Sequence, residues 1–198
     1  MAAPELLILA GPNGAGKTTF AYAQLRDRID AGLFLNADET ARELAPDNVE
    51  SAAFAAARAL LERRRQLLRA RQSFVVETTL ATRTLAGAIR DAVEAGFVSR
   101  LYFLFVSSAS LCQFRVKLRV IKGGHNIPDD VVHRRHAAGL QLLPAYTSIC
   151  DAVEIYHADE TPVLIASKAE RRLEVRDRPR FALLQAAIEI AGGEPLVA

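Results

Sequence analysis

The segment Leu6-Leu7-Ile8-Leu9-Ala10-Gly11-Pro12-Asn13-Gly14-Ala15-Gly16-Lys17-Thr18-Thr19 constrains this chain more than any other. Its first five residues are a short, continuous apolar run, the pattern of a strand buried on both faces. Gly11 through Thr18 satisfy G-x-x-x-x-G-K-[ST], and a helix is expected to begin around Lys17. Glycines let the backbone wrap closely enough to aim several N–H groups at phosphate oxygens, and the helix N-terminus adds the positive end of its dipole. Gly11, Asn13, Gly14, Ala15, Gly16, Lys17, Thr18 and Thr19 are therefore expected to hold a nucleoside triphosphate. Lys17 supplies charge at the β/γ phosphates and the Thr18 hydroxyl is a ligand for Mg²⁺. Motors, switches and kinases all use such a cradle, so its purpose has to be sought elsewhere in the chain.

Strands and helices alternate along the rest of the sequence. Further strands are expected at 33–35, 73–76, 101–106, 153–156 and 163–166. Helices are expected at 47–71, around Leu85, Ile89 and Val93 up to Gly96, then at 109–122, 129–143 and 180–191. This alternation predicts an α/β three-layer fold, a mainly parallel sheet flanked by helices. The length of 198 residues fits one domain spanning 1–198, and 51% apolar with 24% charged residues suits an ordinary core. A net charge of +2 is too balanced to call for nucleic acid. The arginines at 58, 63, 64, 65, 69 and 71 alternate with an apolar side and are expected on a solvated helix face. No stretch approaches the roughly 20 apolar residues of a membrane-spanning helix. The N-terminus, with Glu5 and no basic n-region, does not read as a signal peptide. Cys112 and Cys150 sit among apolar neighbours without metal-ligand spacing, as buried reduced thiols of a cytoplasmic protein do.

In open parallel sheets, ligands collect beyond the carboxyl ends of the strands. Asp38 and Glu77 each follow an expected strand and should face the bay where Lys17 holds phosphate. A kinase needs a carboxylate near the attacking hydroxyl, and Asp38 is the candidate base, a helix N-cap being the alternative. Glu77 could hold Mg²⁺ through a water, bind the acceptor hydroxyl, or satisfy nearby N–H groups. On the helix at 109–122, residues advance by about 100° each. Arg115, Arg119 and Lys122 then share one stripe, between Leu111 and Leu118 on one side and Cys112 and Val116 on the other. Arginines embedded in an apolar arc need anions, so Arg115 and Arg119 are expected to clamp a transferring phosphoryl group. Gly123-Gly124 can act as a hinge, which makes 109–143 the expected helical lid.

With these pieces assembled, the chain resembles the zeta toxin family of P-loop kinases in its short chromosomal form. The segments GPNGAGKTT, FLNADE, FVVETTLATRT and FRVKLRVIKGGHNIPDDVVHRRH occur in family order and cover roughly residues 5–150. The resemblance implies ATP- and Mg²⁺-dependent transfer of the γ-phosphate to a hydroxyl. The family's best-known acceptor is UDP-N-acetylglucosamine, and an antitoxin protein restrains some members. It implies Asp38 as general base, Lys17 with Thr18 on phosphate and metal, and Arg115 with Arg119 as clamp. It also implies that Glu77, Thr78 and Thr79 line the acceptor pocket. Glu77 is the second candidate metal residue by its place at a strand end, not by the resemblance. Arg83 stands in for an arginine that larger toxins carry soon after the E-x-T element, where this chain has Leu80-Ala81. The turn after the fifth strand also departs from the pattern, reading Tyr156-His157-Ala158-Asp159. His125 matches the family pattern but a helix-terminating turn explains it equally, and Arg134 and Arg135 adjoin that turn. His133, His136, Asp129 and Asp130 lack convergent geometry for a metal. Two other functions fit the same residues: phosphoryl transfer to a nucleoside, antibiotic or other metabolite, and a nucleotide-dependent switch or nucleic-acid-associated ATPase.

Overall fold

A computed structural model describes residues 3–25, 33–36, 40, 49–124, 126–169 and 172–197. Asp38 and His125 lie outside these residues. The elements run β1 (Glu5–Ala10), α1 (Lys17–Gln24), β2 (Phe34–Leu35), α2 (Val49–Arg69), β3 (Phe74–Thr78), α3 (Thr84–Glu94) and β4 (Val98–Phe105). There follow α4 (Ala109–Ile121), α5 (Asp129–Ile149), β5 (Ala152–His157), β6 (Val163–Ala169), β7 (Arg172–Val175) and α6 (Arg178–Ile190).

Seven strands form one sheet in the order β2-β3-β1-β4-β5-β6-β7. The first five are parallel, and β6 and β7 add an antiparallel edge. Helices cover both faces, which is why β1 is apolar at every position after Glu5. Leu6, Ile8 and Ala10 join a core with α3, α6 and the second half of α5. Leu7 and Leu9 join the other, with Phe20 of α1 and Cys112 and Val116 of α4. The predicted three-layer architecture is the observed one.

Helix α5 belongs to both layers. Val132 near its start packs in the α1/α4 core, whereas Leu140, Leu143 and Tyr146 pack in the opposite one. Its middle therefore crosses the carboxyl edge of the sheet. The helix does not stop at 143 as expected but continues through Pro144 to Ile149. A proline inside a helix costs about 3 kcal/mol. Buried Leu143 and Tyr146 offset that cost from either side, and the Tyr146 hydroxyl donates to the Thr82 carbonyl at 2.5 Å.

Strand β7 was not expected, because only Leu173 of its four residues is buried. The expected solvated face of α2 holds at most positions: Arg58, Arg63, Arg65 and Arg69 are exposed and Arg64 is partly buried. Arg65 lies 3.7 Å from Glu62. Cys112 and Cys150 are free and buried, one in each core. Among the described residues, no helix is long and apolar enough to cross a membrane.

Candidate active site

The sheet register sets the site. β1 lies between β3 and β4, with Leu9 opposite Glu77 and Ala10 opposite Thr78, and β2 flanks β3. The phosphate loop, Asn36 and Glu77 thus emerge side by side from three adjacent strand ends. Gly14 has φ 80°, and a Cβ there would stand 2.6 Å from the Cys112 carbonyl of α4. Gly16 has φ 81° with nothing within 4 Å, so its need is conformational: it is the left-handed residue that turns the loop into α1. The first glycine seats the loop against α4; the second aims α1's N-terminus.

Lys17 is buried, and its ammonium donates to the carbonyls of Gly11 and Pro12 at 3.0 and 3.1 Å. It also lies 3.7 Å from Glu77 Oε1. The other oxygen, Glu77 Oε2, accepts from Thr18 Oγ1 at 3.2 Å and from Asn36 Nδ2 at 3.0 Å. One carboxylate is therefore fixed between the loop lysine, the loop threonine and the end of β2. Thr18 and Glu77, the two expected metal residues, are in direct contact. Their hard oxygens suit Mg²⁺, which takes one or two protein ligands and keeps its remaining positions for water and phosphate.

These groups open onto a cavity of about 180 Å³ lined by Asn13, Lys17, Asn36, Glu77, Thr78, Thr79 and Arg135. Arg135 comes from the crossing part of α5 and donates to Asn13 Oδ1 at 3.3 Å. The close approach depends on Gly139 one turn later, where a Cβ would stand 2.8 Å from the Thr79 carbonyl. Beside the cavity, buried Leu80 has φ 59°, a left-handed conformation costing a branched residue about 1–2 kcal/mol. Its N–H donates to Thr78 Oγ1 at 3.0 Å, which closes the turn after β3 and fixes Thr78 and Thr79.

Other expected site residues fall elsewhere. Thr19 is exposed on α1, and Ala15 is buried beneath the loop. Arg115 and Arg119 do not line the cavity with Lys17. With Leu118, Lys122, Gly123 and Gly124 they line a separate hollow of about 420 Å³. The Arg115 guanidinium donates to the carbonyl of Ala158 at 2.8 Å and to that of Asp159. The same turn is tied to the end of β4: Ser107 donates its N–H and hydroxyl to the Asp159 carboxylate at 2.8 and 2.5 Å. The expected apolar embedding of the arginine stripe is only half realised. Cys112 and Val116 are buried, but Leu118 is exposed, so the stripe runs along the rim between core and solvent.

Arg83 precedes α3 and faces a groove lined by Gln141, Thr147 and Lys168, away from Lys17 and Glu77. His136 Nε2 lies 2.8 Å from the Val106 carbonyl, and burial lowers its pKa. Asp129 pairs with Lys117 at 2.8 Å. Two residues of the cavity went unassigned on sequence. Asn36 stood within FLNADE, and Arg135 was indistinguishable from Arg134 until α5 was seen to cross the sheet edge.

An uncharacterized protein of Haemophilus influenzae is 26% identical over 132 residues, covering 67% of this chain and 92% of the relative. Among solved structures, one from the PezAT chromosomal toxin-antitoxin system of Streptococcus pneumoniae superposes with a TM-score of 0.66 at 16% identity, covering 97% of this chain and 86% of the other. AvrRxo1-ORF1:-ORF2 crystallised with ATP gives 0.69 at 16% identity, over 98% and 78%. A putative kinase from Chloroflexus aurantiacus gives 0.53 at 19%, over 68% and 78%. At 16–19% identity these likenesses show a shared fold. Residues 6–143, more than half of the sequence, match the model of the family described as AAA domain, and the chain belongs to that family.

Proposed function

We propose that this protein is an ATP-dependent phosphotransferase that passes the γ-phosphate to a hydroxyl of a small acceptor. The observation that carries this is the Glu77 carboxylate, held by Lys17, Thr18 and Asn36 in a cavity that Arg135 closes from the opposite side. A switch needs only the cradle. A transferase needs a dry, charged space beside it, where a second molecule can meet the phosphate.

In this proposal the loop N–H groups and Lys17 hold the β- and γ-phosphates, and Thr18 with Glu77 holds Mg²⁺. When bound there, the metal would supply positive charge to the phosphates. Asp38 accepts the proton of the acceptor hydroxyl as the new oxygen–phosphorus bond forms and the bond to the β-phosphate breaks. Arg135 meets the charge on the equatorial oxygens. Of the expected lid 109–143, only the stretch next to Gly123-Gly124, outside the buried Val116 and Ile127, moves in this proposal, and its closure brings Arg119 towards the same group, joined by Arg115 once it leaves its two carbonyls. Thr78 and Thr79 hydrogen-bond the acceptor. A nucleotide sugar such as UDP-N-acetylglucosamine is the first acceptor to test, on the strength of the ordered family motifs. A protein partner of antitoxin kind is part of the same proposal, because the PezAT structure belongs to a toxin-antitoxin system.

The test is mass spectrometry of UDP-N-acetylglucosamine, and separately of a metabolite extract, treated with ATP and either wild-type or Asp38→Asn protein. A product heavier by one phosphoryl group, formed by the wild type alone, is expected. Transfer by Asp38→Asn at the wild-type rate removes Asp38 as base. No phosphorylated product from any source removes the transferase.

A further inference from the structure

The stripe by which α5 meets the sheet carries one polar side chain. Val132, His136, Gly139 and Leu143 fall within about 60° of one another around the helix axis. Val132, Gly139 and Leu143 are buried, and His136 stands among them where the helix passes the carboxyl edge of the sheet. What meets it there is a backbone carbonyl, that of buried Val106, the first residue beyond β4. Strand β4 pairs with β5 only as far as Phe105, so the ladder leaves the Val106 carbonyl to another partner. His136 Nε2 lies 2.8 Å from that oxygen. A carbonyl only accepts, so Nε2 carries the proton and donates it to the bond.

Arg135 is the adjacent residue, turned about 100° from His136. Its guanidinium donates to Asn13 Oδ1 of the phosphate loop at 3.3 Å and lines the cavity that holds Lys17 and Glu77. A guanidinium roughly 8 Å from the axis of its helix moves about 1.4 Å when the helix rolls by about 10°. A displacement of about 1 Å in a group that meets a reacting centre can cost about 100-fold in rate. The roll of this turn therefore matters. The contacts of Val132 and Gly139 limit how closely α5 approaches, but packing is not directional, whereas a hydrogen bond is. The helix's other side-chain tethers, Asp129 to Lys117 and Tyr146 to Thr82, lie near its two ends. The bond from His136 acts at the crossing itself.

We propose that His136 is a positioning residue for Arg135. By holding the crossing turn of α5 to the end of β4, it keeps the guanidinium at the phosphate loop, where a transferring phosphoryl group is met. That Arg135 meets this group rests on the transferase proposal; that His136 sets where Arg135 stands does not.

The probe is aluminium fluoride with ADP and Mg²⁺, a stand-in for the transferring group that needs no acceptor. Affinity for ADP with and without fluoride is measured by calorimetry on the full-length wild type, His136→Ala, His136→Gln, Arg135→Ala and Arg135→Ala/His136→Ala. Glutamine keeps an N–H donor at about the reach of Nε2. His136→Ala is expected to bind ADP as the wild type does, but to lose about tenfold of the gain in affinity that fluoride brings. His136→Gln should recover most of that gain. In the Arg135→Ala background, removing His136 should cost nothing further, because a residue acting through Arg135 has nothing left to position. A wild-type gain in His136→Ala overturns the proposal. So does a loss that glutamine does not repair, one that adds to that of Arg135→Ala, or one that extends equally to ADP alone; these leave His136 a packing residue. No gain from fluoride in the wild type removes Arg135 from the phosphoryl group and the proposal with it. If the fluoride results are as expected but no acceptor is ever phosphorylated, the positioning of Arg135 stands and the transferase falls.

Discussion

The two oxygens of Glu77 do different things, and this separates the candidate site from a bare nucleotide cradle. Oε1 faces the Lys17 ammonium, whereas Oε2 accepts from Thr18 and Asn36. Glu77→Gln keeps the shape and an acceptor oxygen but removes the charge, and an amide N–H₂ can then face Lys17. Losing a metal-orienting carboxylate typically costs on the order of 10–100-fold. Glu77→Gln is therefore expected to lower transfer by about that factor and to raise the Mg²⁺ concentration for half-maximal rate, with thermal stability close to wild type. An unchanged Mg²⁺ dependence would return Glu77 to a structural role. The cradle around it was legible in sequence because its residues are contiguous and its geometry is local. Asn36 was not, because its value depends on the register that sets β2 beside β3, and no spacing along the chain reports that. Arg135 was hidden for a similar reason: a pair of adjacent arginines on a helix gives no sign of which faces inward until the helix's path is known.

At the scale of elements, α5 decides how the cavity is closed, and Gly139 decides how closely α5 approaches the turn after β3. Gly87 in α3 and Gly139 in α5 are both helical glycines, but a Cβ meets nothing within 4 Å at the first and a backbone carbonyl at 2.8 Å at the second. Gly87→Ala is expected to be stabilising by about 0.5–1 kcal/mol from helix propensity alone. Gly139→Ala is expected to destabilise by about 1–3 kcal/mol, as overpacking does, and to raise the acceptor's KM more than that of ATP. Chemical denaturation and initial rates on the two variants check this; equal stability changes would show that α5 yields without cost. Elements with strong periodicity and clean caps were read correctly, as in α4, where the Ser108 hydroxyl accepts from the Leu111 N–H as a cap should. A helical wheel orders residues by angle but does not say which arc packs. For that reason the arginine stripe of α4 was expected inside an apolar arc that is partly open to water. The expected helix end at 143 also failed, because burial of Leu143 and Tyr146 outweighs the local preference of Pro144.

Across the whole molecule, the two cysteines sample the two cores separately: Cys112 lies in the α1/α4 layer and Cys150 in the opposite one. Burial pushes each thiol from an ordinary 9.0 up to about 12. Arg115 and Lys17 beside Cys112, and Lys168 beside Cys150, act in the other direction but do not prevail. Between pH 9 and 12 the unfolded chain therefore releases thiol protons that the folded chain retains. A group whose folded pKa is raised contributes stability below its unfolded pKa and loses it as pH climbs towards the folded one. Each thiol is expected to remove about 1.4 kcal/mol of stability per pH unit within that window. The measurement is denaturant unfolding at about pH 8 and about pH 10, for wild type and for Cys112→Ala/Cys150→Ala. Tyrosines and lysines titrate in both proteins and cancel in the comparison. The wild type should lose about 2–3 kcal/mol more than the double variant over that interval, and each single variant about half of the difference. Equal losses would mean that both thiols reach water in the folded protein, and about half the expected difference that one does, with the two single variants identifying which layer has opened.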